Sequence, residues 1–255
     1  MTLDQCQRGL GTALSFAIFG LGGLIIGILI APVLQLTIRD AARRRYRART
    51  LIQYAFRAFI GLMRALGVLD YRFEALSRLQ RPGLLILANH PSLIDVVFLL
   101  GHVPQADCII KGKLADNPFT RGPIRAAGYI TNREPDAVLD AARRSLAAGN
   151  SLILFPEGTR TRPNRPVKFR RGGANIALRT SADITPVLIR CRPTTLTKGT
   201  PWYRIPPRKV QFDLRVLKDL PVPGETGQPT SVRARHFTRQ LSEYFNHELE
   251  RFQHA

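Results

Sequence analysis

Between Arg8 and Arg39 no residue carries an ionisable side chain, and "LSFAIFGLGGLIIGILIAPVLQL" fills most of that interval. The run exceeds the roughly 20 apolar residues that a helix needs to cross the hydrocarbon core of a bilayer. A soluble-core helix rarely goes so far without one charge. The run is also longer than the apolar region of a secretory signal, and no A-x-A-like cleavage site follows it. The sequence therefore predicts a membrane-anchoring helix. Gly22, Gly23 and Pro32 leave two forms open, one that spans the bilayer and one that dips into a single leaflet.

Immediately downstream, "RDAARRRYRART" carries six arginines and one aspartate, whereas the N-terminal side has only Asp4 and Arg8. The positive-inside rule then places the bulk of the chain in the cytoplasm, at the inner (cytoplasmic) membrane, with this cluster against anionic headgroups. In the next stretch Ile52, Phe56, Phe59, Ile60 and Met63 recur at helical spacing. They predict an amphipathic helix that lies at the interface or packs on the domain.

The formal charge of +20 points to an anionic partner, but charge alone does not separate nucleic acid from phospholipid or an acidic substrate. Cys6, Cys108 and Cys191 lie far apart, with no zinc-like spacing, so the expectation is a reduced chain without a metal site. Cys108 and Cys191 read as buried thiols.

From about residue 71 short β-rich runs alternate with helical ones. "YRFEAL" from 71, "GLLILAN" from 83, "ADCIIKG" from 106, "GYITN" from 128, "SLILF" from 151, "ITPVLIRC" from 184 and "KVQFDLRVL" from 209 read as strands. Helical patterns follow Pro91, run from Pro135 to Gly149, and cover "GGANIALRT". This alternation predicts an α/β fold with a mixed, largely parallel sheet flanked by helices. The expected organisation is an anchoring segment over 1–70, the α/β domain over 71–220, and a linker with a C-terminal amphipathic helix over 221–255. In that helix Phe237, Leu241, Tyr244, Phe245, Leu249 and Phe252 form a packing stripe.

Two polar loops should follow strands on one sheet edge, where reactive groups gather in open α/β sheets. The first is "NHPSLID", residues 89–95, with His90 and Asp95. Ser92 followed by Asp95 is also a capping-box-like pattern, so catalysis and helix capping both fit. The second is "FPEGTR", residues 155–160, which puts Glu157 and Arg160 straight after an apolar strand. From Gly158 to Ala182 there are seven basic residues and no acidic one, which suits an anionic ligand. For Arg162, Arg165 and Arg179 a solvated basic face against the membrane is the preferred reading.

These loops resemble a family. "NHPSLID" is similar to the His-x4-Asp block of the glycerolipid (lysophospholipid) acyltransferase superfamily, which includes the bacterial 1-acylglycerol-3-phosphate acyltransferases. "GYITNR" (128–133), "FPEGTR" and "ITPV" (184–187) resemble its three later blocks, in order, over roughly residues 72–215. The resemblance implies transfer of a fatty acyl group from acyl-carrier protein or acyl-CoA to a lipid hydroxyl, with 1-acylglycerol-3-phosphate as acceptor and phosphatidate as product. It implies a thioester co-substrate and no other cofactor, and membrane phospholipid as partner.

In this reading His90 takes the proton of the acceptor hydroxyl and Asp95 orients the ring, as in a serine-hydrolase triad whose serine is replaced by the substrate. Glu157, Gly158, Thr159, Arg160 and Arg133 are implied to bind the acceptor phosphate, Glu157 positioning either Arg160 or the loop. Lys113, and Thr131 with Asn132, depart from common family residues near the acceptor side, so another lipid acceptor, such as an aminoacyl lipid or a specialised-metabolite lipid, stays open. A non-catalytic basic membrane binder would have no use for both loops. A nucleic-acid binder is disfavoured by the anchor and by the lack of any RNA-recognition aromatic motif.

Overall fold

The structure is a computed structural model that describes residues 2–163, 165–225 and 227–254. All seven expected strands pair into one sheet in the order β1-β7-β6-β2-β5-β3-β4. Their ranges are β1 Leu69–Glu74, β2 Leu85–Ala88, β3 Ala106–Ile110, β4 Ile130–Thr131, β5 Ser151–Leu154, β6 Ile184–Arg192 and β7 Val210–Val216. Five of the six neighbouring pairs are parallel and β6–β7 is antiparallel, so β1 and β7 run against the other five. The carboxyl ends of β2 to β6 therefore share one edge.

Alternation along the strands sorts the core into two layers, because successive side chains point to opposite faces. Ile86 and Ala88 of β2, with Ile189 of β6, join a cluster with Phe59, Ile60 and Met63 and with Phe98 and Leu99. These come from α3 (Ala41–Ala65) and α4 (Asp95–His102). Leu85, Leu87 and Leu188 turn the other way, against α7 (Pro135–Ala147), α8 (Gly172–Thr180) and α9 (Thr230–His254). Phe237, Leu241, Phe245 and Phe252 of α9 are buried there, as the expected stripe requires. The expected divisions near 70 and 220 thus fall inside packed structure, since α3 and α9 each supply one side of the sheet's core.

The uncharged run, with the six residues before it, forms α1 (Leu3–Ile25), a π-turn over Ile26–Ile30, and α2 (Ala31–Thr37). A helix of that length measures about 52 Å at 1.5 Å per residue. Pro32 cannot donate to a carbonyl one turn back, and the π-turn just before it absorbs the mismatch. One side of this helix is fixed to the domain. Arg8 is buried and donates to the carbonyls of Pro206, Pro207 and Arg208 as well as to Asp4. Gly23 and Gly27 meet the backbone of α6 (Pro118–Ala127) at Phe119 and Gly122, leaving no space for a side chain. The other side exposes Leu3, Leu10, Leu14, Ile18, Leu21, Ile25, Ile28 and Leu29.

In α3 the helix begins at Ala41, capped by Asp40, whose Oδ1 accepts the Arg43 N–H at 2.7 Å. The arginine cluster is therefore helical, and one member corrects the expectation of a headgroup-facing belt. Arg49 is buried and bonds to the Ala127 carbonyl at 2.9 Å and Asp107 Oδ2 at 2.8 Å, while Ser145 Oγ donates to the same carboxylate. Its neighbours Arg43, Arg45 and Arg47 are exposed. Cys108 and Cys191 are buried free thiols as expected, and burial pushes the Cys191 thiol up to about 12.

Candidate active site

At the carboxyl edge, β2 passes its direction to the first polar loop through Asn89. Its side-chain amide donates to the Ile189 carbonyl and its oxygen accepts the Ile189 N–H, both at 2.8 Å. The side chain thus continues the β2–β6 ladder one step past Ala88↔Val187 and fixes the backbone that carries His90.

His90 and Asp95 meet. The His90 Nδ1 lies 2.9 Å from Asp95 Oδ2, the ring is 17% exposed, and Asp95 is fully enclosed. The ring stacks on Phe155, with centroids 4.2 Å apart, and with Nδ1 on Asp95, Nε2 has no hydrogen-bond partner among the described residues. Asp95 Oδ2 also accepts the Ser92 N–H at 2.7 Å, whereas Oδ1 has no partner among the described residues. Burial pushes the Asp95 carboxyl above the usual carboxylate range, opposed by its bonds to His90 and Ser92 and by the charge of Arg160. The expected capping by Ser92 is corrected here. Helix α4 starts at Asp95 without a side-chain cap, and the Ser92 Oγ bonds to nothing described. Only the return half of the capping pattern forms, from Asp95 back to the Ser92 N–H.

The second loop buttons onto the first. Phe155 to Gly158 make a turn closed by the Gly158 N–H on the Phe155 carbonyl at 3.0 Å, with Pro156 preset at its first corner. Gly158 sits at φ +66°, and a Cβ there would press on the Arg170 side chain at 3.0 Å, so the position needs glycine. Glu157 Oε1 accepts from the His90 N–H at 3.1 Å and from Thr161 Oγ1 at 2.6 Å, and the Thr161 N–H donates to the His90 carbonyl at 2.7 Å. Glu157 therefore positions the loop and His90, not Arg160. Burial raises its carboxyl, and its bonds to Thr161 and His90 oppose the rise.

Arg160 turns to a third loop, residues 193–209 after β6, where Nη1 donates to the carbonyls of Leu196 at 2.7 Å and Thr197 at 3.0 Å. The Leu93 N–H bonds to the same Leu196 carbonyl. Thr159 makes no hydrogen bond among the described residues. Arg133 follows β4, three strand positions from β2, or about 14 Å at 4.8 Å per strand. It pairs with Asp116 and is half exposed. The structure thus brings together His90, Asp95, Glu157 and Gly158, holds Arg160 against the third loop, and sets Arg133 apart on the same edge. No cluster of metal-ligating residues occurs among the described residues.

Residues 70–190 match the family model described as Acyltransferase. Over those residues the chain is similar to that family. A 1-acyl-sn-glycerol-3-phosphate acyltransferase of Helicobacter pylori is 30% identical over 112 residues, which cover 41% of this chain and 47% of that one. The protein of that description from Pseudomonas aeruginosa is 25% identical over 189 residues, covering 71% and 70%. Another, from Cocos nucifera, is 30% identical over 110 residues, covering 40% and 36%. The match thus spans about half or less of the first and last of these relatives. In fold, the chain is similar to the crystal structure of the 1-acyl-sn-glycerophosphate acyltransferase of Thermotoga maritima, with a TM-score of 0.71 at 21% identity over 97% of this chain and 98% of that one.

Three contributors to the site were not assigned a role by the motifs of the sequence. Asn89 stood in the quoted motif without a role, Thr161 lies one residue past "FPEGTR", and the loop after β6 had no motif at all. An asparagine at a strand end and a threonine one turn-length beyond a motif are weak signals. Backbone carbonyls, which are what Arg160 grips, leave no trace in sequence.

Proposed function

We propose that this protein transfers a fatty acyl group from acyl-carrier protein or acyl-CoA to the hydroxyl of 1-acylglycerol-3-phosphate, forming phosphatidate. The observation that carries the reading is the His90–Asp95 pair at 2.9 Å, with Nε2 free, on the edge where two matched loops interlock. The resemblance of those loops to the family's blocks supports the substrate class.

The thioester is already activated, so the chemistry asks for a base. His90 Nε2 removes the acceptor's hydroxyl proton as that oxygen attacks the thioester carbonyl carbon. Asp95 holds Nδ1–H and stabilises the imidazolium that forms. The tetrahedral adduct then collapses with cleavage of the carbon–sulfur bond, and the imidazolium returns its proton to the departing thiolate. The remaining N–H groups of Arg160, beside the Gly158 turn, offer charge for the acceptor phosphate.

One side of α1 is bonded to the domain and the other is a continuous apolar face, so the reading for the anchor is a helix that lies in one leaflet of the cytoplasmic membrane. The test is acyl transfer by the reconstituted protein from each thioester to a panel of lysolipids, with His90→Ala in parallel. Product with lysophosphatidate that vanishes in H90A supports the proposal. Product with an aminoacyl lipid instead moves the acceptor, and full activity in H90A removes the mechanism.

A further inference from the structure

The loop after β6 carries at its tip an exposed aromatic pair that the chemistry does not use. Trp202 is 47% exposed and Tyr203 67%, with ring centroids 5.8 Å apart. Their exposure does not come from a loose segment. At the loop's start Leu196 is buried and its carbonyl accepts from both Arg160 and the Leu93 N–H. Thr197 and Thr200 then close a short turn, with hydroxyl oxygens 2.6 Å apart. At its end, Arg8 of α1 grips three successive carbonyls from Pro206 to Arg208. The tip is held outward between two fixed ends.

The surroundings of the tip define its chemistry. Trp202 leans on Phe16 of α1, with centroids 5.9 Å apart, and the same helix exposes Leu10 and Leu14 on its other faces within two turns of Phe16. Lys198, Arg204 and Arg208 are exposed in the same loop, and there is no acidic residue from 193 to 209. An exposed tryptophan and tyrosine in a loop whose only charges are cationic match the boundary where acyl chains meet anionic headgroups. A carboxylate-bearing protein partner would answer the cations but not the exposed aromatic pair or the apolar side of the helix it rests on.

We infer that the Trp202–Tyr203 tip is a second membrane contact, seated in the headgroup layer of an anionic phospholipid bilayer, which brings the bilayer surface near the loop that carries His90. The inference rests on the membrane reading of α1 and adds a position and an orientation to it. Since Leu93 of the His90 loop and Arg160 both hold the Leu196 carbonyl, the bilayer contact and the site share one loop. An acceptor lipid would then reach the base by a short lateral path from the leaflet.

Trp202 is the protein's single tryptophan, so its emission reports this tip alone. The experiment reconstitutes the full chain in phosphatidylglycerol/phosphatidylcholine vesicles and separates bound protein by flotation. Lipids brominated near the glycerol end of the acyl chain, or near its middle, are then compared as quenchers. The expected result is flotation, blue-shifted emission, and stronger quenching by the shallow bromine than by the deep one. Flotation with no bromolipid quenching, and with acrylamide quenching equal to that of free indole in water, would overturn the inference while leaving the anchor intact. Failure to float would overturn the membrane reading and the inference together.

A paired variant, Trp202→Ser with Tyr203→Ser, adds a functional readout. Transfer to an acceptor embedded in vesicles should fall about tenfold, equivalent to about 1.4 kcal/mol, while transfer to a short-chain monomeric acceptor is unchanged. Equal losses on both acceptors would mean that the tip supports the fold of the loop instead of meeting the bilayer.

Discussion

Two buried aspartates stand at opposite ends of the sheet and have opposite uses. Asp107, at the start of β3, has both oxygens satisfied. Oδ2 takes Arg49 and Ser145, and Oδ1 takes the Cys108 N–H. Asp95, at the carboxyl edge, has no partner on Oδ1 among the described residues and gives Oδ2 to a partly exposed histidine. Burial pushes both carboxyls up. The difference is in the partner. A permanent guanidinium makes Asp107 part of a closed knot that ties α3 to β3 and α7, whereas an imidazole makes Asp95 the fixed half of a pair whose other half can gain and lose a proton.

Breaking the two pairs should therefore break different things. The largest effect is expected from His90→Ala, a loss of about a hundred- to ten-thousand-fold in the rate of transfer. Calorimetry should show its folding stability changed by about 1 kcal/mol or less, since the Ser92 N–H stays on Asp95. Arg49→Ala should do the reverse. Chemical denaturation should register a loss of about 3 to 5 kcal/mol, with normal turnover per folded molecule, because Asp107 and the Ala127 carbonyl lose their buried donor. Adding Asp107→Leu to Arg49→Met should recover much of that loss. A double variant no better than Arg49→Ala would contradict the view of Asp107 as purely structural.

Smaller effects sharpen the contrast. Glu157→Gln keeps an acceptor for the His90 N–H and for Thr161 but loses the charge, so turnover should fall by about 1 kcal/mol, the margin between charged and neutral hydrogen bonds. Burial raises the Glu157 carboxyl above its ordinary 4.5, so the folded chain binds this proton more tightly than the unfolded one. Stability should then decline as pH climbs from about 4.5 through the raised value, and a pH series of melts on E157Q should lack that share of the decline. Asp219 behaves oppositely. Its bond to Arg81 holds it below its ordinary 3.8, so it stabilises the fold above that pH, and the benefit disappears as pH falls through the lowered value. Asp219→Asn should cost no more than about 1 kcal/mol at neutral pH, the ceiling for a solvent-screened pair, and nothing in strong acid.

The strands were legible in the sequence because β-branched and leucine-rich runs such as "LLILA" and "ITPVLI" leave few alternatives, and the His90–Asp95 meeting was legible because five residues suffice to turn from a loop into a helix. The antiparallel turn of β7 was not, since its own residues alternate in the same way in either direction. Arg49 was misread for a related reason. It stands among identical neighbours, and only the rotation of α3 sends that one inward while Arg45 and Arg47 stay in solvent. The helix start at Asp95 escaped because Ser92 and Asp95 spell a cap, and tertiary geometry gave the carboxylate to His90 instead.

The grip of Arg8 on the chain around Arg208 also sets an order of manufacture. The two partners are 200 residues apart, so a ribosome adding about 5 to 20 residues per second makes α1 roughly 10 to 40 s before its last clasp exists. Gly23 and Gly27 wait similarly for α6. On the proposed membrane reading, lipid shelters the helix during that interval, which would place anchoring ahead of the closing of the domain around it.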